Sequence, residues 1–130
     1  MAYIKFKELT KYFDFKVEVK ADYLPEYALE YVDKSEKILM SYKNKRDYAV
    51  FTDKRLILFD RDVLSLYYKK IHIIPFTSIS TSAIKFKPGK VELLFSLSSS
   101  YQVHLNFIDM HHNKKEVIKE IYKQIMKINM

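Results

Sequence analysis

A mainly β fold of the α+β class, an antiparallel barrel or sandwich of seven strands closed by one C-terminal helix, is what this sequence predicts. Three patterns carry the prediction. Short runs rich in aromatic and branched residues recur from Glu36 to Phe107 with polar turn clusters between them. The runs after Lys90 alternate apolar and polar residues, which is the period of a half-buried strand. A long stretch after Asn113 repeats its apolar residues at helical spacing.

The N-terminal part reads as an extension. Tyr3, Phe6, Leu9 and Phe13 recur at helical spacing, while Phe15, Val17 and Val19 alternate with lysine and glutamate, so a short helix followed by an extended arm is expected over the first 22 residues. Pro25 suits a first helical position, and Ala28, Tyr31 and Val32 form one apolar stripe that ends near Asp33 to Ser35. The division expected is therefore an extension over residues 1–35 and one domain over residues 36–130.

Glu36 to Lys43 reads as the first strand, with Ile38, Met40 and Tyr42 on one side and Leu39 and Ser41 on the other. Tyr48 to Thr52 and Leu56 to Phe59 form a hairpin about the polar cluster Asp53, Lys54 and Arg55, and its dense apolar character makes it the centre of the sheet. After an ambiguous connection, Tyr67 to Ile74 resumes as a strand that Pro75 ends or pushes to an edge. Ile79 to Lys87 follows, with Ser82, Ile84 and Phe86 on one face. Lys87-Pro88-Gly89-Lys90 is the clearest turn, since proline presets one φ and the chain's only glycine supplies a positive one. Val91, Leu93, Phe95 and Leu97 then alternate with Glu92, Leu94, Ser96 and Ser98, and three serines lead into Tyr101, Val103, Leu105 and Phe107, which alternate with Gln102, His104 and Asn106. Asn113 and Glu116 have the spacing of a capping box, and Val117, Ile118, Ile121, Tyr122, Ile125 and Ile128 make the stripe of the closing helix.

Composition narrows the function classes. A length of 130 residues suits one core, and the absence of cysteine excludes disulfides, thiolate catalysis and cysteine-ligated zinc. No apolar signal region or membrane-length run is present, so a cytoplasmic protein is expected. The balance of 23 basic to 16 acidic residues, +7, favours acidic partners. Only Arg46, Arg55 and Arg61 are arginines, however, and guanine readout prefers the arginine fork, which argues against nucleic acid.

The segments Arg46-Asp47 and Val50-Phe51-Thr52-Asp53-Lys54-Arg55-Leu56-Ile57, followed by Ile74-Pro75-Phe76 with Ile79, resemble the bacterial pleckstrin-homology-like family. Its signature runs approximately RD-x-x-VFT-[ND]-KRLI and later IPY-x-x-I. The resemblance covers about Glu36 to the closing helix. This chain departs from it at Phe76, where the family commonly has tyrosine, and at Asp60-Arg61-Asp62-Val63, where a glycine-containing turn commonly follows the third strand. The resemblance implies the pleckstrin-homology architecture and a small cytosolic domain without enzymatic activity, some members of which form rings. It therefore implies a binding or scaffolding role. The function expected is protein–protein contact with self-association into a homo-oligomer through exposed strand edges and the aromatic N-terminal segment, and the alternative, from the basic residues, is peripheral binding to anionic lipid headgroups of a membrane surface or to another anionic ligand.

Two basic clusters are the candidate sites. Lys43, Lys45 and Arg46 at one end of the central hairpin, with Lys54 and Arg55 at the other, have the donors to hold a phosphate or carboxylate by charge-assisted hydrogen bonds. In eukaryotic pleckstrin-homology domains the loop matching Lys43 to Arg46 is the usual headgroup site. Internal pairs of Arg46 with Asp47 and of Asp53 with Arg55 are the competing reading, since surface ion pairs often do no more than fix strand ends. Lys85, Lys87 and Lys90 form a second basic tip about the Pro88-Gly89 turn. Lys115, Lys119, Lys123 and Lys127 recur every fourth residue along the closing helix and read as a solvated face. His104, His111 and His112 lack the completing ligands of a metal site, and Ser96, Ser98, Ser99 and Ser100 lack a placed base. No cofactor, metal or catalytic residue is expected.

Overall fold

The alternating runs pair into two sheets. The computed structural model describes residues 12–44, 47–61 and 69–128. In chain order the elements are β1 (Tyr12–Phe15), β2 (Val17–Glu18), a 3-10 turn (Ala21–Tyr23), α1 (Glu26–Leu29), β3 (Ile38–Asn44), β4 (Asp47–Thr52) and β5 (Arg55–Arg61). There follow β6 (Lys69–Pro75), a second 3-10 turn (Phe76–Ser78), β7 (Ile79–Lys87), β8 (Lys90–Leu97), β9 (Gln102–Ile108) and α2 (His112–Ile128). The first sheet has the order β1-β9-β8-β7 and the second β2-β3-β4-β5-β6.

The seven strands read from the sequence are β3 to β9. The described residues hold nine, because the N-terminal segment supplies two more. β1 lies parallel to β9, with Phe13 beside Leu105 and Phe15 beside Phe107. After Lys16 the chain crosses to the other sheet, where β2 runs antiparallel to β3. Residues 12–18 thus stitch the two sheets together at one seam. The alternation of Phe15, Val17 and Val19 was the local signal for this. The helix expected from Pro25 to about Ser35 is a single turn, Glu26–Leu29, with Pro25 as its N-cap rather than its first residue. The short helix expected before Phe13 falls largely outside the described residues, as does the connection over residues 62–68.

The main core fills the space between the sheets. Tyr42, Phe51 and Phe107 are fully buried there, and the Phe107 ring stands edge-on to Tyr42 with centroids 4.9 Å apart. α2 closes the open end with Ile118, Ile121 and Ile125, and Tyr122 and Met126 pack at its margin. Val117 and Ile128, expected in the buried stripe, stand exposed at its other margin. α2 also begins at His112, which places Asn113 inside the first turn instead of at the cap expected from its spacing to Glu116.

A second apolar cluster explains the density of the central hairpin. Val50, Ile57 and Phe59 point away from the main core and are covered by Val19, Leu24 and Ala28, while Tyr27 and Tyr31 each set a ring against Phe59 at 5.9 Å. β4 and β5 are therefore buried on both faces, which is why their sequence reads as near-continuous apolar runs. β3 departs from the expected alternation for a related reason. A register shift between Ile38 and Met40 lets Ile38 join the second cluster while Leu39, Met40 and Tyr42 face the first. Gly89 adopts φ +69°, the positive value that the turn at 87–90 requires.

Candidate functional site

The turn between β4 and β5 is built around a carboxylate that sequence reasoning did not single out. Thr52 is buried and its hydroxyl accepts the amides of Lys54 (3.1 Å) and Arg55 (3.0 Å), folding the turn back on itself, and donates to Glu36 Oε2 at 2.6 Å. Arg55 meets the same carboxylate through Nε (3.0 Å) and Nη2 (2.6 Å), and Nη2 also donates to the carbonyl of Tyr31. The Glu36 side chain is only 2% exposed. Hydrogen bonds from Arg55, opposed by burial and assisted by Thr52, hold its carboxyl down at about 2. Lys54 turns toward the same segment, its ammonium 3.2 Å from Ser35 Oγ. Arg55 and Lys54 thus join the hairpin to residues 31–36.

Lys43 stands at the other end of β4, opposite Tyr48 in the ladder. The six residues of β4 separate the two groups by about 20 Å at ~3.3 Å per residue. The structure therefore does not bring Lys43 together with Lys54 and Arg55. Lys45 and Arg46 lie outside the described residues.

What it does bring together is Lys43 and the second basic tip. The Lys16 amide donates to the Lys43 carbonyl at 3.3 Å, and Lys16 Nζ lies 3.2 Å from Asp109 Oδ2. Asp109 follows Ile108, which pairs with Lys90, and the next amide, that of Met110, donates to the Gly89 carbonyl at 2.8 Å. Lys16, Lys43, Lys87, Lys90 and the start of α2 consequently share one end of the molecule. Glu92 partly neutralises it, lying 3.4 Å from Lys87 and 3.1 Å from Lys90. Burial works against that carboxylate, yet the hydrogen bonds from Lys90 and Lys87 leave it below its ordinary range. The two tips were separated by 40 residues in the reading of the sequence, and only the β1–β9 pairing reveals that they are neighbours.

Each sheet has, besides the edge strand at the β1–β2 seam, one edge strand away from it: among the described residues β6 pairs only with β5, and β7 only with β8. Ile73 projects from β6 with 43% of its surface exposed. It continues the face that carries Ile71, Ile57 and Phe59, the last of which meets the half-exposed ring of Tyr31. A cleft of ≈ 320 Å³ runs between this strand and the β8–β9 turn, with Ile74, Pro75, Leu97 and Tyr101 on its walls. On β7, Ser82 Oγ and Tyr122 Oη are 2.7 Å apart, and Ser82 donates to Met126 Sδ at 3.0 Å, which ties this strand to the flank of α2.

Among the described residues no group of three His, Asp or Glu side chains is placed to hold a metal ion, and no helix is long and apolar enough to cross a membrane. Ser98 donates its hydroxyl to the Ser78 carbonyl at 3.0 Å, a contact that closes the corner between the sheets.

The family model that matches this chain is described as "Bacterial PH domain" and spans residues 9–129. Comparison with curated proteins finds no significant match. Among solved structures, a protein with a pleckstrin-homology domain from Shewanella loihica is similar at a TM-score of 0.67 and 23% identity, covering 88% of this chain and 97% of that one. A pleckstrin homology domain from Shewanella amazonensis aligns at 0.61 and 23% identity over 88% and 91% of the two chains. A PH domain containing protein from Exiguobacterium sibiricum aligns at 0.67 and 19% identity, over 89% of this chain but 62% of that longer one.

Proposed function

We propose a function from one premise: this chain belongs to the bacterial PH domain family. It is a non-enzymatic cytoplasmic module that works by protein–protein contact and associates with copies of itself. The observation that carries this reading is the β6 edge, where an open strand and exposed apolar side chains coincide. Ile73 exposes apolar surface on a strand that, among the described residues, is paired on one side only, the combination that invites strand-to-strand association. Light scattering at micromolar concentration tests it. The expected result is a dimer or larger assembly that Ile73→Glu converts to monomer. A wild-type protein that runs as a monomer overturns the self-association.

A second reading is supported by the gathering of Lys16, Lys43, Lys87 and Lys90 at one end, where each cation near an anionic bilayer contributes about 1 kcal/mol. Sedimentation with vesicles rich in anionic lipid at low salt tests it. Binding that Lys43→Glu with Lys90→Glu abolishes supports peripheral membrane attachment, and failure to sediment removes it.

A further inference from the structure

We propose that the groove between the free edge of β7 and the flank of α2 binds an extended acidic peptide from another protein, which adds to the first sheet as a further strand. This rests on the protein-binding reading above and names a partner class for it, at a surface distinct from the β6 edge.

The groove has three properties that select such an occupant. Its floor is a strand of nine residues which, among the described residues, pairs on one side only, so its outer backbone groups are offered to an added chain. Its inner wall is apolar. Ser82, Ile84 and Phe86 share the face of β7 toward α2. Ser82 is bonded to Tyr122, Ile84 packs at the margin of the core, and Phe86 is left 51% exposed beside them. Its rim is cationic. Lys115 Nζ donates to the Lys87 carbonyl at 2.7 Å, which sets the helix flank carrying Lys115 and Lys119 beside β7, while Lys85 and Lys87 stand on the opposite face of the strand.

The acids nearby leave this rim positive. Glu92 lies across the ladder from Lys85 but directs its carboxylate to Lys87 and Lys90, so Lys85 has no ion pair among the described residues. Glu116 lies 3.8 Å from Lys119, both half-exposed. A second copy of β7 is a poor occupant, because it would bring Lys85 and Lys87 of both chains into one strand pair, and like charges facing each other are destabilising. An added strand has two faces. Apolar side chains at every second position meet Ile84 and Phe86, and carboxylates at the intervening positions meet Lys85 and Lys87.

The probe is a ten-residue peptide alternating glutamate and valine, and the control carries lysine in place of glutamate. Hydrogen exchange read by mass spectrometry is expected to show slower exchange over residues 81–87 with the acidic peptide alone. The apparent Kd is expected to rise at least tenfold in Lys85→Glu/Lys87→Glu, whose side chains are exposed and leave the core intact. Phe86→Ser, a separate exposed position, is expected to weaken binding without altering its salt dependence. Equal binding of the lysine peptide, protection at β6 in place of β7, or no binding at millimolar peptide overturns the proposal. None of these results alters the oligomeric state that tests the β6 edge, so the two readings fail separately.

Discussion

Replacing Glu36 with glutamine isolates the contact that holds residues 31–36 against the central hairpin. The variant keeps the shape and the Thr52 hydrogen bond but removes the charge that faces Arg55 Nε and Nη2. The wild-type carboxyl sits at about 2 against a usual 4.5, chiefly because Arg55 bonds its ionised form. At about 1.4 kcal/mol per pH unit, that difference amounts to roughly 3 kcal/mol at neutral pH. Water around Arg55, whose side chain is 25% exposed, lowers the figure toward about 2 kcal/mol. The sign follows from the depressed value: the stabilisation is fully present above about pH 4.5 and is lost as the pH falls toward 2. Urea unfolding at pH 7 should therefore place Glu36→Gln about 2 kcal/mol below wild type, with the gap closing progressively between pH 5 and pH 2.5. A variant within about 0.5 kcal/mol of wild type at pH 7 would show that the ion pair contributes no more than an ordinary surface pair. A gap that did not change with pH would refute the electrostatic origin.

Two further outcomes follow from local geometry. Gly89→Ala meets no atom within 4 Å of the added methyl, so its cost is that of a positive φ alone, about 1 kcal/mol in the same urea assay, and a loss above ~2 kcal/mol would point to a contact the turn does not have. Tyr42 is buried in the main core, and burial, with a smaller contribution from Glu18, pushes its phenol up to about 12. Its raised value makes the neutral phenol stabilising below pH 10, with that stability lost as the pH climbs from 10 toward 12. Ultraviolet titration should accordingly leave Tyr42 un-ionised at pH 11 in wild type, with Tyr42→Phe abolishing that late component.

Much of this architecture was legible because local pattern and tertiary role agree. The alternation of Val91, Leu93, Phe95 and Leu97 is the core face of β8 without exception, and Pro88-Gly89 is the turn its composition requires. The failures have physical causes. The stripe Ala28, Tyr31 and Val32 suggested three helical turns, but only Ala28 is helical and fully buried. The rest of the segment is held by Tyr31 on Phe59 and by the Tyr31 carbonyl on Arg55, contacts to residues more than twenty positions away, and by Glu36, which accepts from the Asp33 amide and from Arg55. Ile38 and Met40 share a parity in the sequence and lie on opposite faces because a bulge intervenes, which no periodicity reports. The sites were legible as residue types and not as groupings. Arg55 was read among the anion-binding cations, and the spacing to Asp53 suggested the wrong partner. Glu36 gave a faint signal as an acid next to an apolar strand.

The burial of the central hairpin on both faces constrains where this domain can meet another molecule. In an ordinary antiparallel sheet one face is solvated and free to dock, but the outer face of β4 and β5 is sealed by Val19, Leu24 and Ala28. The outer face of the first sheet carries Thr81, Ala83, Leu94, Ser96, Gln102 and His104 around a shallow depression of ≈ 210 Å³. Backbone edges remain, and they differ in chemistry. β6 presents Ile73, whereas β7 presents Lys85 and Lys87 with Phe86 between them. An apolar edge favours a like partner and a cationic edge disfavours one, so a single domain of this charge can associate with itself through β6 and still take an acidic strand at β7. Simultaneous use is geometrically open because the two edges belong to different sheets. If Ile73→Glu yields a monomer that still binds the acidic peptide with unchanged Kd, the edges act independently. A monomer that loses the peptide as well would mean that one edge completes the other.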